Sequence, residues 1–155
     1  MYSRILILGL DAAMLLVTPE NIASVMALAQ LPHSFEELDA LVARGLPKGA
    51  LKASVDRVCK SGEDRKQLLY RIVPEATYKR RRTSLSAEES GRAERLARVF
   101  ATAHYVWNSE DDAQVFLSTP HAMLSGHTPL DVAMTELGAR RVEDLLWKLY
   151  YGIAA

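Results

Sequence analysis

Residues suited to acid–base, nucleophilic or metal chemistry are few in this chain of 155 residues. The four histidines and the single cysteine stand among unlike neighbours, without the spacings typical of metal ligands. Ser125-Gly126-His127 lacks the flanking glycine and the preceding strand of a nucleophile elbow. Cys59 follows Val55 and Val58 at helical spacing and is expected to pack on a helix face. We therefore predict a protein that is not an enzyme and has no catalytic residue, metal or cofactor.

Cationic side chains offer a different chemistry, the binding of a polyanion. The net charge is zero, yet residues 44–82 hold 12 Lys and Arg against 4 Asp and Glu. The rest of the chain holds 7 Lys and Arg against 15 Asp and Glu. Such an uneven distribution indicates a basic face suited to nucleic acid.

The end of the basic region has the pattern of a helix-turn-helix. Residues 68–82 are typical of a helix, a tight turn at Val73-Pro74 and a second helix, which in that motif enters the major groove. Ala76 and Tyr78 are expected to pack inward. Guanidinium groups suit guanine edges and phosphate oxygens, although a basic run is also typical of a solvated helix face. The residues predicted to contact DNA are Thr77, Lys79, Arg80, Arg81 and Arg82.

The C-terminus carries a second candidate surface, made of aromatic residues. The last predicted helix has an apolar stripe whose members are Val142, Leu145, Leu146, Leu149 and Tyr150. Trp147 and Tyr151 lie four residues apart and off this stripe, so we expect both to be partly exposed. Exposed aromatic side chains tend to dominate protein interfaces, and completion of the domain core is the alternative role for them.

The elements that must position these residues are all helical. Ser61, Ser86, Ser109 and Thr128 have the sequence context of helix N-caps, and Glu89 completes a capping box with Ser86. The helix from Ser86 is predicted to reach Trp107 and to join the basic part to the C-terminal part. The helix after Thr128 is predicted to carry Leu130, Ala133, Met134 and Leu137 on one face and to stop at a left-handed Gly138.

These patterns together predict an all-α protein with three parts. Residues 1–34 form an arm with a helix after Pro19, residues 35–90 a basic helix-turn-helix domain, and residues 91–155 a small helical domain. The apolar stretch Ile5–Val17 contains Asp11 and is too short for a membrane span, so we expect a packing or dimer-forming arm. No membrane association and a cytoplasmic location are the corresponding expectations.

The C-terminal pattern also resembles a known family. It contains Leu-x-Gly-x-Thr-Pro-Leu, then Glu-Leu-Gly-Ala, then Val-Glu-x-Leu-Leu and a glycine close to the end. This is similar to the C-terminal toxin-binding domain of Xre/MbcA/ParS-type antitoxins. Residues that carry the resemblance are Leu124, Gly126, Thr128, Pro129, Leu130, Glu136, Gly138, Val142, Glu143, Leu145 and Gly152.

Upstream residues extend the resemblance to about 41–153. Gly45-Leu46-Pro47, the run from Thr77 to Arg81 and Leu85–Ser90 are similar to the Xre-like helix-turn-helix domain of such antitoxins. The family implies an antitoxin of a type II toxin–antitoxin pair whose RES-domain toxin degrades NAD or transfers its ADP-ribose. It also implies a homodimer that binds operator DNA and represses its own operon. Residues 1–34 match no part of this family that we recognise.

The resemblance further implies neutralisation by occlusion of the toxin's active site, with Arg141–Ala155 placed over it. The toxin contacts implied in this way are Arg140, Arg141, Trp147, Tyr150, Tyr151 and Ile153. A different function compatible with the sequence is a stand-alone helix-turn-helix regulator whose C-terminal domain dimerises or senses a ligand.

Overall fold

The structure, a computed structural model, describes residues 16–152, and the predicted toxin contact Ile153 and most of the N-terminal apolar stretch lie outside them. The described residues confirm the all-α fold, with an isolated antiparallel bridge between Pro47 and Ser84 in place of any strand. Their helices are α1 (Pro19–Val25), α2 (Phe35–Arg44), α3 (Lys48–Val58), α4 (Gly62–Ile72), α5 (Glu75–Arg80), α6 (Ala87–Trp107), α7 (Glu110–Ser118), a 3-10 turn (Ala122–Leu124), α8 (Pro129–Val132) and α9 (Glu136–Tyr150).

Hydroxyl side chains begin most of these helices. Ser86 accepts a hydrogen bond from the backbone N–H of Glu89 at 3.2 Å, and the Glu89 carboxylate accepts one from the backbone N–H of Ser86 at 2.8 Å. This reciprocal pair satisfies two N–H groups that the first turn of α6 leaves without intrahelical partners. The predicted N-caps Ser61, Ser109 and Thr128 accept the corresponding bond at the starts of α4, α7 and α8. These sequence predictions are confirmed.

The central element is α6, the long helix predicted to join the two halves. It packs against α1, α2, α3 and α4 on the N-terminal side and against α7 and α9 on the C-terminal side. Ala93, Ala97 and Ala103 are completely buried, as are Val99 and Phe100. Small side chains let neighbouring helices approach closely, so the helix is covered on several sides and one core extends through both halves.

A cluster of ion pairs fixes α9 against α6. The Arg98 guanidinium donates to Glu143 at 2.8 Å, to Glu136 at 2.8 Å and to Glu94 at 2.9 Å. Arg95 adds a bond of 3.0 Å to the Glu136 carboxylate. Burial disfavours the charge of Arg98, but the three carboxylates outweigh that effect and raise its pKa above the ordinary value. Arg98 therefore remains charged, while burial raises the pKa of Glu94 and of Glu143. The hydrogen bonds from Arg98 to Glu136 and Glu143 set how α9 lies on α6.

The turn between α8 and α9 differs from the prediction. The helix α8 ends at Val132, and Thr135 caps a new helix by accepting from the Gly138 N–H at 3.0 Å. Gly138 therefore lies in the first turn of α9 and is not a left-handed stop, while Leu137 is 75% exposed and belongs to no buried stripe. A glycine is needed at position 138 for a steric reason, because a Cβ there would overlap the carbonyl oxygen of Val132.

This close approach makes Gly138 a position where alanine should be poorly tolerated. We expect Gly138→Ala to lower the free energy of unfolding by about 2–4 kcal/mol, because the added methyl must displace the backbone at Val132. Gly49→Ala in α3 is the matched control, since nothing lies within 4 Å of the point that its Cβ would occupy. Alanine there should stabilise the helix by up to about 1 kcal/mol. Urea denaturation of both variants checks this, and equal stabilities would refute it.

Candidate functional site

The first candidate surface is built on the helix-turn-helix formed by α4 and α5. The turn is short because Val73 ends α4, its N–H donating to the Leu69 carbonyl at 3.1 Å, and Pro74 immediately begins α5. Tyr78 anchors α5: its ring is 9% exposed, lies edge-on to Tyr70 at 6.3 Å between centroids and has Lys48 4.3 Å from its centroid. The inward position predicted for Tyr78 is confirmed.

Ala76 is exposed, so its predicted inward packing is wrong. The helix α5 has six residues, and among the described residues its principal helical neighbour is α4. A helix of this length has room for one buried anchor, and the larger Tyr78 occupies that position. Apart from the half-buried Thr77, the other residues of α5 are exposed.

Among the residues predicted to contact DNA, Arg81 has a structural partner. It donates from Nε and Nη2 to the two carboxylate oxygens of Glu89 at 3.1 and 3.0 Å. Burial raises the pKa of Glu89, but hydrogen bonds from Arg81 and from the Ser86 backbone N–H outweigh burial and hold it below its ordinary value. This two-point contact joins the C-terminal end of α5 to the first turn of α6. Sequence reasoning missed it because Glu89 already had a local role in the capping box.

The other cations of the basic run have different surroundings. Lys79 pairs with Glu75 one turn earlier at 2.6 Å. Arg80 and Arg82 are exposed and form no ion pair within residues 16–152, so their guanidinium donors face solvent. Thr77 is half-buried. Arg80 and Arg82 are thus the arginines of the run best placed to reach an external phosphate or base.

The second candidate surface consists of Tyr105, Tyr150 and Tyr151 lying around Trp147, and we name it the aromatic surface. The Tyr105 and Tyr150 rings have centroids 5.8 Å from that of Trp147 and 5.6 Å from each other. Tyr151 is 5.0 Å from Tyr150. Trp147 is only 7% exposed, so the prediction of an exposed Trp147 is wrong. Its ring is covered by the tyrosines and by the packing of α9 on α6.

Tyr105 was not predicted from the sequence. It lies on α6, outside the apolar stripe that reaches Val106 and Trp107. An aromatic residue off the apolar stripe of a long helix is the sequence feature that could have indicated an exposed contact. Its side chain is 36% exposed, against 43% for Tyr150 and 45% for Tyr151. A side-chain hydrogen bond with Tyr150 raises the pKa of Tyr105, consistent with the closeness of the two rings.

Two exposed cations precede the aromatic surface on α9. Arg140 and Arg141 are both exposed and have no ion-pair partner in the described part of the chain. On α9, Arg140 precedes Trp147 by seven residues and Tyr151 by eleven, which places the three on one side of the helix. The structure thus brings together the predicted contacts Tyr150 and Tyr151 and buries Trp147 beneath them, whereas Arg140 lies about three helical turns earlier on α9.

Ion pairs span a cleft of about 480 Å³ between α3–α4 and α7–α8. Arg71 contacts Asp131 at 2.6 Å, and Lys60 contacts Asp111 at 2.9 Å. Each pair joins a cation of the basic half to a carboxylate of the acidic half. Within residues 16–152 no group of His, Cys, Asp and Glu is arranged to hold a metal ion, and no helix is long and apolar enough to cross a membrane.

Comparison with known proteins identifies both halves. Residues 37–98 match the sequence model of the antitoxin Xre-like helix-turn-helix domain. Residues 102–152 match that of the antitoxin Xre/MbcA/ParS C-terminal toxin-binding domain. The chain is also 33% identical over 84 residues to Antitoxin Xre of Pseudomonas putida, an alignment that covers 52% of this chain and 53% of that protein. The chain thus spans about half the length of this relative.

The contact between Arg81 and Glu89 generates a stability prediction. Arg81→Ala should lower the free energy of unfolding by about 1–3 kcal/mol at neutral pH, because the buried Glu89 carboxylate loses its ion partner. Arg82→Ala removes the same charge from an exposed side chain and should change stability by less than about 0.5 kcal/mol.

The pH dependence of this difference follows from the lowered pKa of Glu89. A carboxyl whose pKa is lowered by folding stabilises the protein at pH values above its pKa in the unfolded chain, which for Glu89 is near 4.5. That stabilisation is lost as the pH falls through the lower pKa of the folded protein. The difference in free energy of unfolding between Arg81→Ala and the unsubstituted protein should therefore be largest above the pKa of the unfolded chain and should become smaller in acid. Denaturation at several pH values measures the gap, and a constant gap would contradict the assignment.

Proposed function

Because the chain belongs to the Xre/MbcA/ParS-type antitoxin family, we propose that it is the antitoxin of a type II toxin–antitoxin pair. The partner in this proposal is a RES-domain toxin that degrades NAD or transfers its ADP-ribose. The observation that carries the proposal is the aromatic surface, which lies entirely within the toxin-binding domain match at residues 102–152. Tyrosine and arginine are enriched at the centres of tight protein interfaces, and Arg140 and Arg141 are exposed earlier on the same helix as Tyr150.

Neutralisation in this proposal is occlusion of the toxin's active site. The end of α9 and the residues after it cover the NAD pocket, so substrate cannot enter and this chain supplies no chemistry. Tyr150 and Tyr151 provide apolar contact area, and Arg140 and Arg141 pair with acidic groups of the toxin. Ile153 extends the contact, and Trp147 supports it from beneath. The location of the complex is the cytoplasm, where NAD and the operon are found.

Removing the end of the chain tests the occlusion. Truncation after Leu149 should abolish neutralisation, because it deletes Tyr150, Tyr151 and the residues that follow them. The helical fold should largely persist, since both tyrosines are more than two-fifths exposed. Growth and cellular NAD are measured while the protein of the adjacent reading frame is induced with each antitoxin form, and circular dichroism verifies folding. Gly49→Ala serves as the full-length control.

Three outcomes would contradict this proposal. Full protection by the truncated chain would show that the last residues do not block the toxin. A harmless neighbouring protein, or toxicity that the full chain does not relieve, would favour a stand-alone helix-turn-helix regulator.

We also propose that the protein represses its own operon. A homodimer would place two α5 helices in successive major grooves of a palindromic operator, about 34 Å apart. The exposed side chains of Arg80 on α5 and of Arg82 just after it support this role, with Thr77 and Lys79 also on α5. Arg81 remains within the proposed surface, although two of its nitrogens are engaged by Glu89.

Paired arginine substitutions test the DNA surface. Arg80→Ala with Arg82→Ala should weaken operator binding and reduce the slope of log affinity against log salt by roughly one for each phosphate that is no longer bound. Arg140→Ala with Arg141→Ala removes the same two charges from the other half and should leave operator affinity near that of the unsubstituted protein. Binding is measured by fluorescence anisotropy across a salt series. Equal effects of the two double variants would indicate nonspecific attraction and refute the assignment.

A further inference from the structure

We infer that Tyr105 of α6 completes the toxin-contacting surface together with Tyr150 and Tyr151, while Trp147 is a buried platform for these tyrosines. This inference rests on the proposed antitoxin function and specifies which residues form its interface. It extends the contact beyond the C-terminal helix, because Tyr105 lies 45 residues before Tyr150 in the chain.

The tyrosine rings are arranged as a single patch. Tyr105 lies 5.6 Å from Tyr150 and 5.8 Å from Trp147, and Tyr150 lies 5.0 Å from Tyr151, all between centroids. Edge-to-face and tilted aromatic contacts at these separations are favourable and hold the rings in place. The three tyrosines therefore form one continuous patch contributed by two helices. A partner that covers Tyr150 meets Tyr105 at the same time.

Burial separates the roles of the tryptophan and the tyrosine. Trp147 is 7% exposed, so it has little surface to offer a partner, whereas Tyr105 is 36% exposed. The Trp147 ring supports both Tyr105 and Tyr150 through direct contacts. Its substitution would alter the patch by removing support, whereas substitution of Tyr105 removes contact area directly. The two residues thus have different roles.

The charge around the patch indicates what kind of partner it fits. Arg140, Arg141 and Lys148 are exposed on α9, and Asp144 is the exposed carboxylate among them. Between Arg140 and Lys148 the exposed charged residues of α9 are therefore three cations and one carboxylate, and Arg141 and Lys148 border a groove with Met123 and Leu124. The region 102–152 as a whole nevertheless holds more acidic than basic residues. Such a surface complements an apolar area rimmed by carboxylates. The occupant is accordingly a toxin protein with an acidic rim around an apolar contact region.

Trp107 is a natural control for this inference. It is on the same helix, is 41% exposed and packs on Phe116 of α7 at 6.0 Å between centroids. Two residues along a helix correspond to a rotation of roughly 200°, so Trp107 points to the opposite side from Tyr105. A comparison of the two positions separates a specific contact from a general effect of removing an exposed aromatic ring.

The experiment measures binding to the purified protein encoded by the adjacent reading frame. Tyr105→Ala and Tyr150→Ala should each raise the Kd at least about tenfold by isothermal titration calorimetry, whereas Trp107→Ala should change it by less than about threefold. Thermal unfolding of each variant identifies any loss of fold. Hydroxyl-radical footprinting of the unsubstituted complex provides a second measurement, in which Tyr105 should become protected and Trp107 should remain reactive.

The outcomes distinguish this inference from the function on which it rests. If Tyr150→Ala weakens binding but Tyr105→Ala does so by less than about tenfold, or if Tyr105 stays reactive in the complex, the inference is overturned and the proposed function stands. If the unsubstituted chain does not bind the neighbouring protein, the proposed function fails and the inference falls with it. Weakened binding at both tyrosines with protection of Tyr105 supports both.

Discussion

The arrangement of the C-terminal half depends on the partly buried guanidinium of Arg98. A charge removed from water costs several kcal/mol unless it is paired and hydrogen-bonded, and three carboxylates surround this one. Glu94 approaches from the same helix, while Glu136 and Glu143 approach from the first and third turns of α9. Because guanidinium geometry is planar and directional, these bonds set both the rotation and the axial position of α9.

The aromatic surface is a consequence of that docking. Tyr105 and Trp147 meet because α6 and α9 are held in one register, and the tyrosines at the end of α9 then gather around the indole. The opposite charges of the two halves also help to fix their orientation, since Arg71 and Lys60 pair with carboxylates across the cleft. Exposed pairs of this kind contribute little stability each, but several together favour a single orientation of the halves. A basic surface and an aromatic surface are thereby presented by one compact body.

Local sequence signals predicted most of the helical starts and the long α6 because a cap is formed by neighbouring residues. Ser86 and Glu89 are three positions apart, so their reciprocal hydrogen bonds need no other part of the chain. Gly138 was misread because two explanations of a glycine look alike in sequence. A left-handed stop and a close backbone approach both require the missing Cβ, and only the position of Val132 distinguishes them.

Composition, periodicity and short-range capping are enough to predict the helical class, the charge division and the residue types on each surface. Tertiary structure decided which of those residues are available to a partner. Four consecutive cations look equivalent in sequence, yet Glu89 engages Arg81 and leaves Arg80 exposed. Likewise, the packing of α9 on α6 buries Trp147 and brings Tyr105 next to Tyr150. The physical reason is that burial and ion pairing depend on how helices dock, and residues distant in the chain determine that docking.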